Sequence, residues 1–194
     1  MFIVHRVNLT SELSKIPKEF GVEIDVRPYE NKLILSHDPY LNGDSLESFL
    51  EHFSHGTIIV NIKSFHIEQD IIMLFNRYNI SDYFFLDLSI PNIHGLIQNN
   101  FSKFAIRTSI YEPLKNIEMF QGKAQWIWVD HLDGELLTKE QLQYIKELGF
   151  KICLVSPCLL GKEIKSFQSH YASLQEKYID KICCKMKNIS SFNV

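Results

Sequence analysis

The sequence predicts an α/β fold, a compact (β/α)8 TIM barrel, on three observations. Short runs rich in β-branched and aromatic residues recur along the chain, and patterns with helical start and stop signals separate most of them. Groups able to do chemistry collect where those runs end, as they do at the carboxyl face of a barrel. With 194 residues, 45% hydrophobic and 22% charged, and no linker, internal repeat or low-complexity segment, the chain reads as a single barrel domain over 1–194.

The expected strands are 2–5, 22–26, 32–37, 57–63, 83–88, 104–108, 125–130, 150–156 and 181–185. Segment 32–37 follows 22–26 too closely for a crossover, so it extends that strand or turns back on it as a hairpin, and eight units remain. Among the helices, Asp44 or Ser45 caps 46–53. Thr138 with Gln141 has the spacing of a capping box, Leu142, Ile145 and Leu148 form the apolar stripe behind it, and Gly149 closes that helix. A doubly wound open sheet is the competing architecture. No GxGxxG or GxxxxGKS loop is present to favour it.

A formal net charge of −3 and the absence of a long Lys/Arg run argue against nucleic acid, whose binding depends on neutralising phosphates. No stretch approaches the ~20 apolar residues that span a bilayer, so no integral membrane segment is expected and the cytoplasm is the default location. Cys153, Cys158, Cys183 and Cys184 lie in or beside apolar runs without CxxC pairing and read as core thiols. Nothing in the sequence fixes an oligomeric state.

The stretch VEIDVRPYENKLILSHDP, 22–39, carries the chemical signal. Period two puts Glu23 and Asp25 on one face of a strand and Val22, Ile24 and Val26 on the other. Two acids buried side by side demand a proton or a cation, and hard divalent ions take oxygen ligands of this kind. The alternative is a half-exposed strand whose acids face water. Other strand ends add His5, His37, Asp38, Asn61 and Lys63, and the later ones add Arg107, Trp128 and Asp130. Arg107 is a candidate grip on phosphate or carboxylate, or half of a structural ion pair with Asp130. Trp128 is a stacking wall for a sugar or polyol, or barrel packing. His52, His55, His66, His94, His131 and His170 fall in helices or loops and are expected at the surface.

HR at 5–6, EIDV at 23–26, LILSHDP at 33–39 and VNIKS at 60–64 resemble, in that order, the glycerophosphodiester phosphodiesterase family. That family belongs to a wider group of barrels that includes phosphatidylinositol-specific phospholipases C and sphingomyelinase-D-like enzymes. The resemblance covers about the first third of the chain. It implies a metal-assisted phosphoric diester hydrolase of lipid metabolism acting on a small glycerophosphodiester-like or sugar or polyol phosphodiester. His5 and His37 correspond to its acid/base histidines, Arg6 and Lys63 to its phosphate-binding cations, and Glu23 and Asp25 to ligands of a divalent cation, Mg2+ or Ca2+.

The chain departs from the family at three points. Asn61 stands at the third metal position, where the family has a carboxylate, and brings oxygen without charge. Val7 replaces the glycine that follows HR, and the motif after it is reduced to VNLT. The usual insertion after HD is nearly absent, since PYLNGDSLESFLEHFSHG runs almost directly into a helix and the next strand. A barrel that binds a phosphorylated sugar or polyol, or a protein partner, without catalysis is therefore the second expectation. A metal-independent lyase ranks third, because no cation evident in the sequence stands in for the metal beside Glu23 and Asp25.

Overall fold

The computed structural model describes residues 1–192, which divide into two compact units, Val4–Asn99 and Met1–Ile3 with the chain from Asn100 onward. A first short strand, β1 (Phe2–Val4), is shared between them.

In the unit Val4–Asn99, strand β2 (Gly21–Tyr29) turns through Glu30 and Asn31 into β3 (Lys32–Leu35). The two pair antiparallel from Tyr29 opposite Lys32 to Val26 opposite Leu35, so 32–37 is the hairpin. A two-residue strand, β4 (Asp44–Ser45), adds to β3 and leads into α1 (Leu46–His52). Ser45 holds the N-cap position without a side-chain bond, and the neighbouring Asp44 carboxylate accepts from the Thr10 N–H, 2.7 Å away. Strands β5 (Ile58–Ile62) and β6 (Tyr83–Leu86) run parallel to β2, joined through α2 (Glu68–Arg77), with α3 (Ile90–Gln98) following.

The register sets Val22 beside Ile58 and Asp25 beside Asn61, so the strands have two distinct faces. One carries Val22, Ile24, Val26, Ile58 and Val60, all fully buried. Tyr83, on that same face, meets the α2 residue Phe75 edge to face at 4.6 Å. The other face carries Glu23, Asp25 and Asn61, also buried. Both faces are covered, which is why the strands read as nearly continuous apolar runs broken at three polar positions.

In the second unit, β7 (Ala105–Thr108), β8 (Trp126–Val129), β9 (Lys151–Val155) and β10 (Lys181–Cys184) form a parallel sheet in chain order. The capping box predicted at Thr138 and Gln141 opens α4 (Lys139–Glu147), and Gly149, with φ of 88°, turns the chain into β9. Helices α5 (Lys165–Tyr171) and α6 (Gln175–Tyr178) precede β10. All four cysteines are free and buried, as read from their apolar neighbours, and burial raises the Cys184 thiol to about 12.

One expectation is corrected here: His131 is 1% exposed, not a surface residue. Its Nδ1 faces the Val155 carbonyl at 3.0 Å and its Nε2 the Tyr171 hydroxyl at 2.9 Å, which also accepts from the Leu137 N–H. Both ring nitrogens are engaged, and burial lowers the pKa of the imidazole, favouring the neutral ring.

Candidate active site

The centre of the unit Val4–Asn99 is the Glu23/Asp25 face of β2, onto which the other motifs converge. After β1 the chain passes His5 and reaches Arg6 with φ of 59°, a left-handed conformation uncommon in a side-chain-bearing residue. That turn aims the Arg6 N–H at Glu23 Oε2, 2.7 Å away, while the Val7 N–H donates to the Glu23 carbonyl. Local strain is thereby exchanged for a charge-assisted hydrogen bond to a buried acid. His5 Nε2 lies 3.7 Å from the same carboxylate oxygen.

Asp25 is clasped more fully. Lys63 Nζ stands 3.2 Å from Oδ1, and Oδ2 accepts from the Asn8 amide at 2.8 Å with Arg6 Nε 3.8 Å away. Asn8 Oδ1 in turn accepts the Asp25 N–H at 2.9 Å. Sequence reasoning missed Asn8, although the signal was available: it follows HR in the same short segment, where VNLT looked merely reduced. Lys63 and Arg6 are positive groups beside Asp25 within the chain itself, where the sequence reading had placed no cation.

Glu23 and Asp25 are each 1% exposed. Burial, and then the charge of Asp25, raise the Glu23 carboxyl to about 7 against the hydrogen bonds from Arg6 and the Asn61 amide and the charge of Lys63. Asn61 Oδ1 is buried and has no hydrogen-bond partner among the described residues. An acceptor left over beside two acids suits a hard cation, with two anionic oxygens and one neutral one as donors. No group of three His, Cys, Asp or Glu side chains is gathered for a metal among the described residues.

His37 is brought to the same strand by its backbone. The Ser36 N–H donates to the Asp25 carbonyl at 2.9 Å, and Arg27 donates through Nε and Nη2 to the carbonyls of Ser36 and His37 at 2.9 and 2.7 Å. The His37 ring is half-exposed and faces Asp38 Oδ1 through Nδ1 at 2.7 Å. That contact, followed by the charges of His37, Arg6 and Arg27, holds the Asp38 carboxyl below the usual range. In the neutral ring, Nδ1 donating to Asp38 would leave Nε2 its lone pair. Arg27 is a second residue the sequence reading passed over, since on an exposed hairpin it looks like a solvated charge.

Arg107 and Trp128 belong to the second unit. Arg107 Nη1 lies 2.5 Å from Asp130 Oδ2 and its Nε 3.9 Å from Glu112 Oε1, the ion pair weighed against a phosphate grip. Trp128 is buried in register with Arg107 and Cys153, and its indole N–H has no partner among the described residues.

No protein-family model and no curated protein sequence matches the chain. Solved structures do. A glycerophosphodiester phosphodiesterase from Agrobacterium tumefaciens str. C58 superposes with a TM-score of 0.70 at 14% identity, covering 95% of this chain and 96% of that one. A putative glycerophosphoryl diester phosphodiesterase from the same bacterium gives 0.67 at 12% identity, covering 94% and 92%. A glycerophosphoryl diester phosphodiesterase from Parabacteroides distasonis ATCC 8503 gives 0.63 at 15% identity, covering 98% and 86%. The resemblance first carried by four short motifs thus holds over nearly the whole length, and the chain has the mixed α/β fold of glycerophosphodiester phosphodiesterases.

Proposed function

We propose that the chain is a phosphoric diester hydrolase that cleaves a small glycerophosphodiester-like or sugar or polyol phosphodiester, working as one barrel domain over 1–194 in the cytoplasm. The observation that carries this reading is the convergence of four motifs on Glu23 and Asp25. Buried free thiols suit a reducing compartment.

In this reading Arg6 and Lys63 bind the phosphoryl oxygens and counter the charge that grows on them as phosphorus is attacked. His37 Nε2, with Nδ1 held by Asp38, takes the proton of the attacking water. As the new P–O bond forms, the bond to the leaving alcohol breaks, and His5 supplies the proton that neutralises the departing alkoxide. Asn8 is a positioning residue, fixing the Asp25 carboxylate from both its own polar ends. Glu23, Asp25 and Asn61 would hold a divalent cation, Mg2+ or Ca2+, which when bound neutralises phosphoryl charge.

Turnover of a panel of glycerophosphodiesters and sugar phosphodiesters, with Mg2+, with Ca2+ and with EDTA, tests the proposal. Unchanged rates in His5→Ala and His37→Ala would sink it. A second reading, binding of a phosphorylated sugar or polyol or of a protein partner without turnover, rests on the neutral Asn61 and on the internal pairing of Asp25 with Lys63. Calorimetry that finds phosphodiester binding without divalent binding or turnover would favour it.

A further inference from the structure

The buried acceptor without a partner that marks the candidate site at Asn61 has counterparts elsewhere in the unit Val4–Asn99. Among the described residues of that unit, Thr10 Oγ1 and His55 Nδ1 are the other side-chain atoms buried without a hydrogen-bond partner. Both residues line one cavity of about 650 Å3, bordered by the short helix Thr10–Lys15 and by the end of α1, and His52 lines it as well. The phosphodiesterase reading leaves all three residues without a task. The tautomers of the two histidines follow from the backbone around them. His55 Nε2 stands 3.0 Å from the Leu13 carbonyl and 3.1 Å from the Ile16 carbonyl, and a ring nitrogen facing two acceptors carries the proton. In the neutral ring the lone pair is then on Nδ1. His52 does the same from its other nitrogen, since Nδ1 donates to the Ser48 carbonyl at 2.9 Å and leaves the lone pair on Nε2.

We infer that His52 Nε2 and His55 Nδ1 bind a borderline divalent transition metal, Zn2+ foremost, with Thr10 Oγ1 and water completing its shell. The inference stands whether or not the chain is a phosphodiesterase. A histidine that ligates a metal gives its other N–H to a carbonyl, a carboxylate or water, which fixes both the tautomer and the direction of the ring. His52 and His55, three positions apart, both show that arrangement with backbone carbonyls and share one cavity. The lining also selects the ion. Among the described residues no Asp or Glu lines the cavity, so Mg2+ and Ca2+ find no carboxylate there, whereas neutral imidazole nitrogen suits Zn2+, Ni2+ and Cu2+. An anion fits less well, because it wants N–H groups and both rings have spent theirs on carbonyls. The ammonium of Lys18, which also lines the cavity, is on an exposed residue and stays in water. His52 ends α1, and His55 is bonded to the carbonyls of Leu13 and Ile16, so the metal acts as a clip between α1 and the segment after Thr10.

Calorimetric titration of the chelator-treated full chain with Zn2+ tests the assignment. Wild type and Glu23→Gln are both expected to bind one Zn2+ with a Kd of about 10 μM or tighter, as a site with two imidazole ligands allows. His52→Ala removes an exposed ring, and His55→Gln keeps an N–H for the two carbonyls; each should weaken binding about tenfold or more. Zn2+ should also raise the Tm of wild type and leave that of His52→Ala where it was, since only a ligand that binds the folded state stabilises it. In electron paramagnetic resonance, Cu2+ in place of Zn2+ should couple to two imidazole nitrogens in wild type and to one in His52→Ala. Loss of the site in Glu23→Gln puts the metal on the acids and overturns the inference. So does a wild type that binds no Zn2+, an equal affinity or an equal rise in Tm in His52→Ala, or coupling of Cu2+ to a single nitrogen in wild type. Should His55→Gln fail to fold, His52→Ala decides alone, its circular dichroism spectrum being expected to match wild type because the side chain is exposed.

Discussion

Asp25 within β2 and Asp130 just after β8 both belong to buried parallel pairings, and each faces a cation. Asp130 meets the Arg107 guanidinium at 2.5 Å in a close pair, and beyond it His131 spends both ring nitrogens on Val155 and Tyr171. Asp25 shares Lys63, Arg6 and Asn8 while a second acid, Glu23, crowds it, and Asn61 Oδ1 beside them has no partner among the described residues. Charge alone does not separate the two regions. What separates them is local: His131 beyond Asp130 has both ring nitrogens engaged, whereas around Asp25 two crowded acids still want a proton or a cation.

The largest effect that would break this contrast is kinetic. His5→Ala and His37→Ala should each lower turnover by about 100-fold or more on whichever phosphodiester proves best, measured at saturating substrate. His131→Phe should instead leave kcat near its starting value while costing about 2–4 kcal/mol of stability in urea melts, because the Tyr171 hydroxyl and Val155 carbonyl lose a buried partner. A turnover defect in His131→Phe that outruns its unfolded fraction would erase the distinction between the regions.

Two smaller effects sharpen it. Asn61→Asp supplies the missing charge and should tighten Mg2+ or Ca2+ binding by about tenfold in calorimetry; an unchanged affinity removes Asn61 from the ligand set. The pH dependence of stability, measured in chelator, should split by region. Glu23 titrates near 7 when folded and near its ordinary value when unfolded, so the folded state holds the extra proton in between and stability rises as pH falls through that window. His131 is held below its ordinary 6.5 when folded, so the unfolded state takes the proton first and stability falls as pH drops below 6.5. Glu23→Gln should flatten the first slope and His131→Phe the second.

Much of this was legible in the sequence where a residue's role is set by its own strand. The places of Glu23, Asp25, Asn61 and Lys63 follow from period two and from the ends of strands, and the hairpin was one of two readings of 32–37, with the turn at Glu30 and Asn31 seen only in the structure. What was missed depends on distant partners. Asp44 and Ser45 are polar and form a strand only because Ile34 and Leu35 offer a free edge. His131 reads as a loop residue in VDHLDG until Tyr171, 40 positions later, closes over it. Asn8 and Arg27 act on backbone and carboxylate groups 17 and 9 to 10 residues away, a pairing that composition does not announce.

The loop that carries His37, Asp38, Tyr40 and Leu41 begins and ends at nearly one point. Ser36 is tied to Asp25 at its start, and at its end Gly43 lies so close to the Leu35 carbonyl that a Cβ there would come within 2.1 Å of the oxygen. A ring closed at its neck transmits little of what happens at its crown, and loop length costs only slowly in entropy. The positions between Tyr40 and Asn42 therefore form a socket: whole segments can be grafted in or cut out there, exchanging the exposed surface while His37 and Asp38 nearer the neck keep their places.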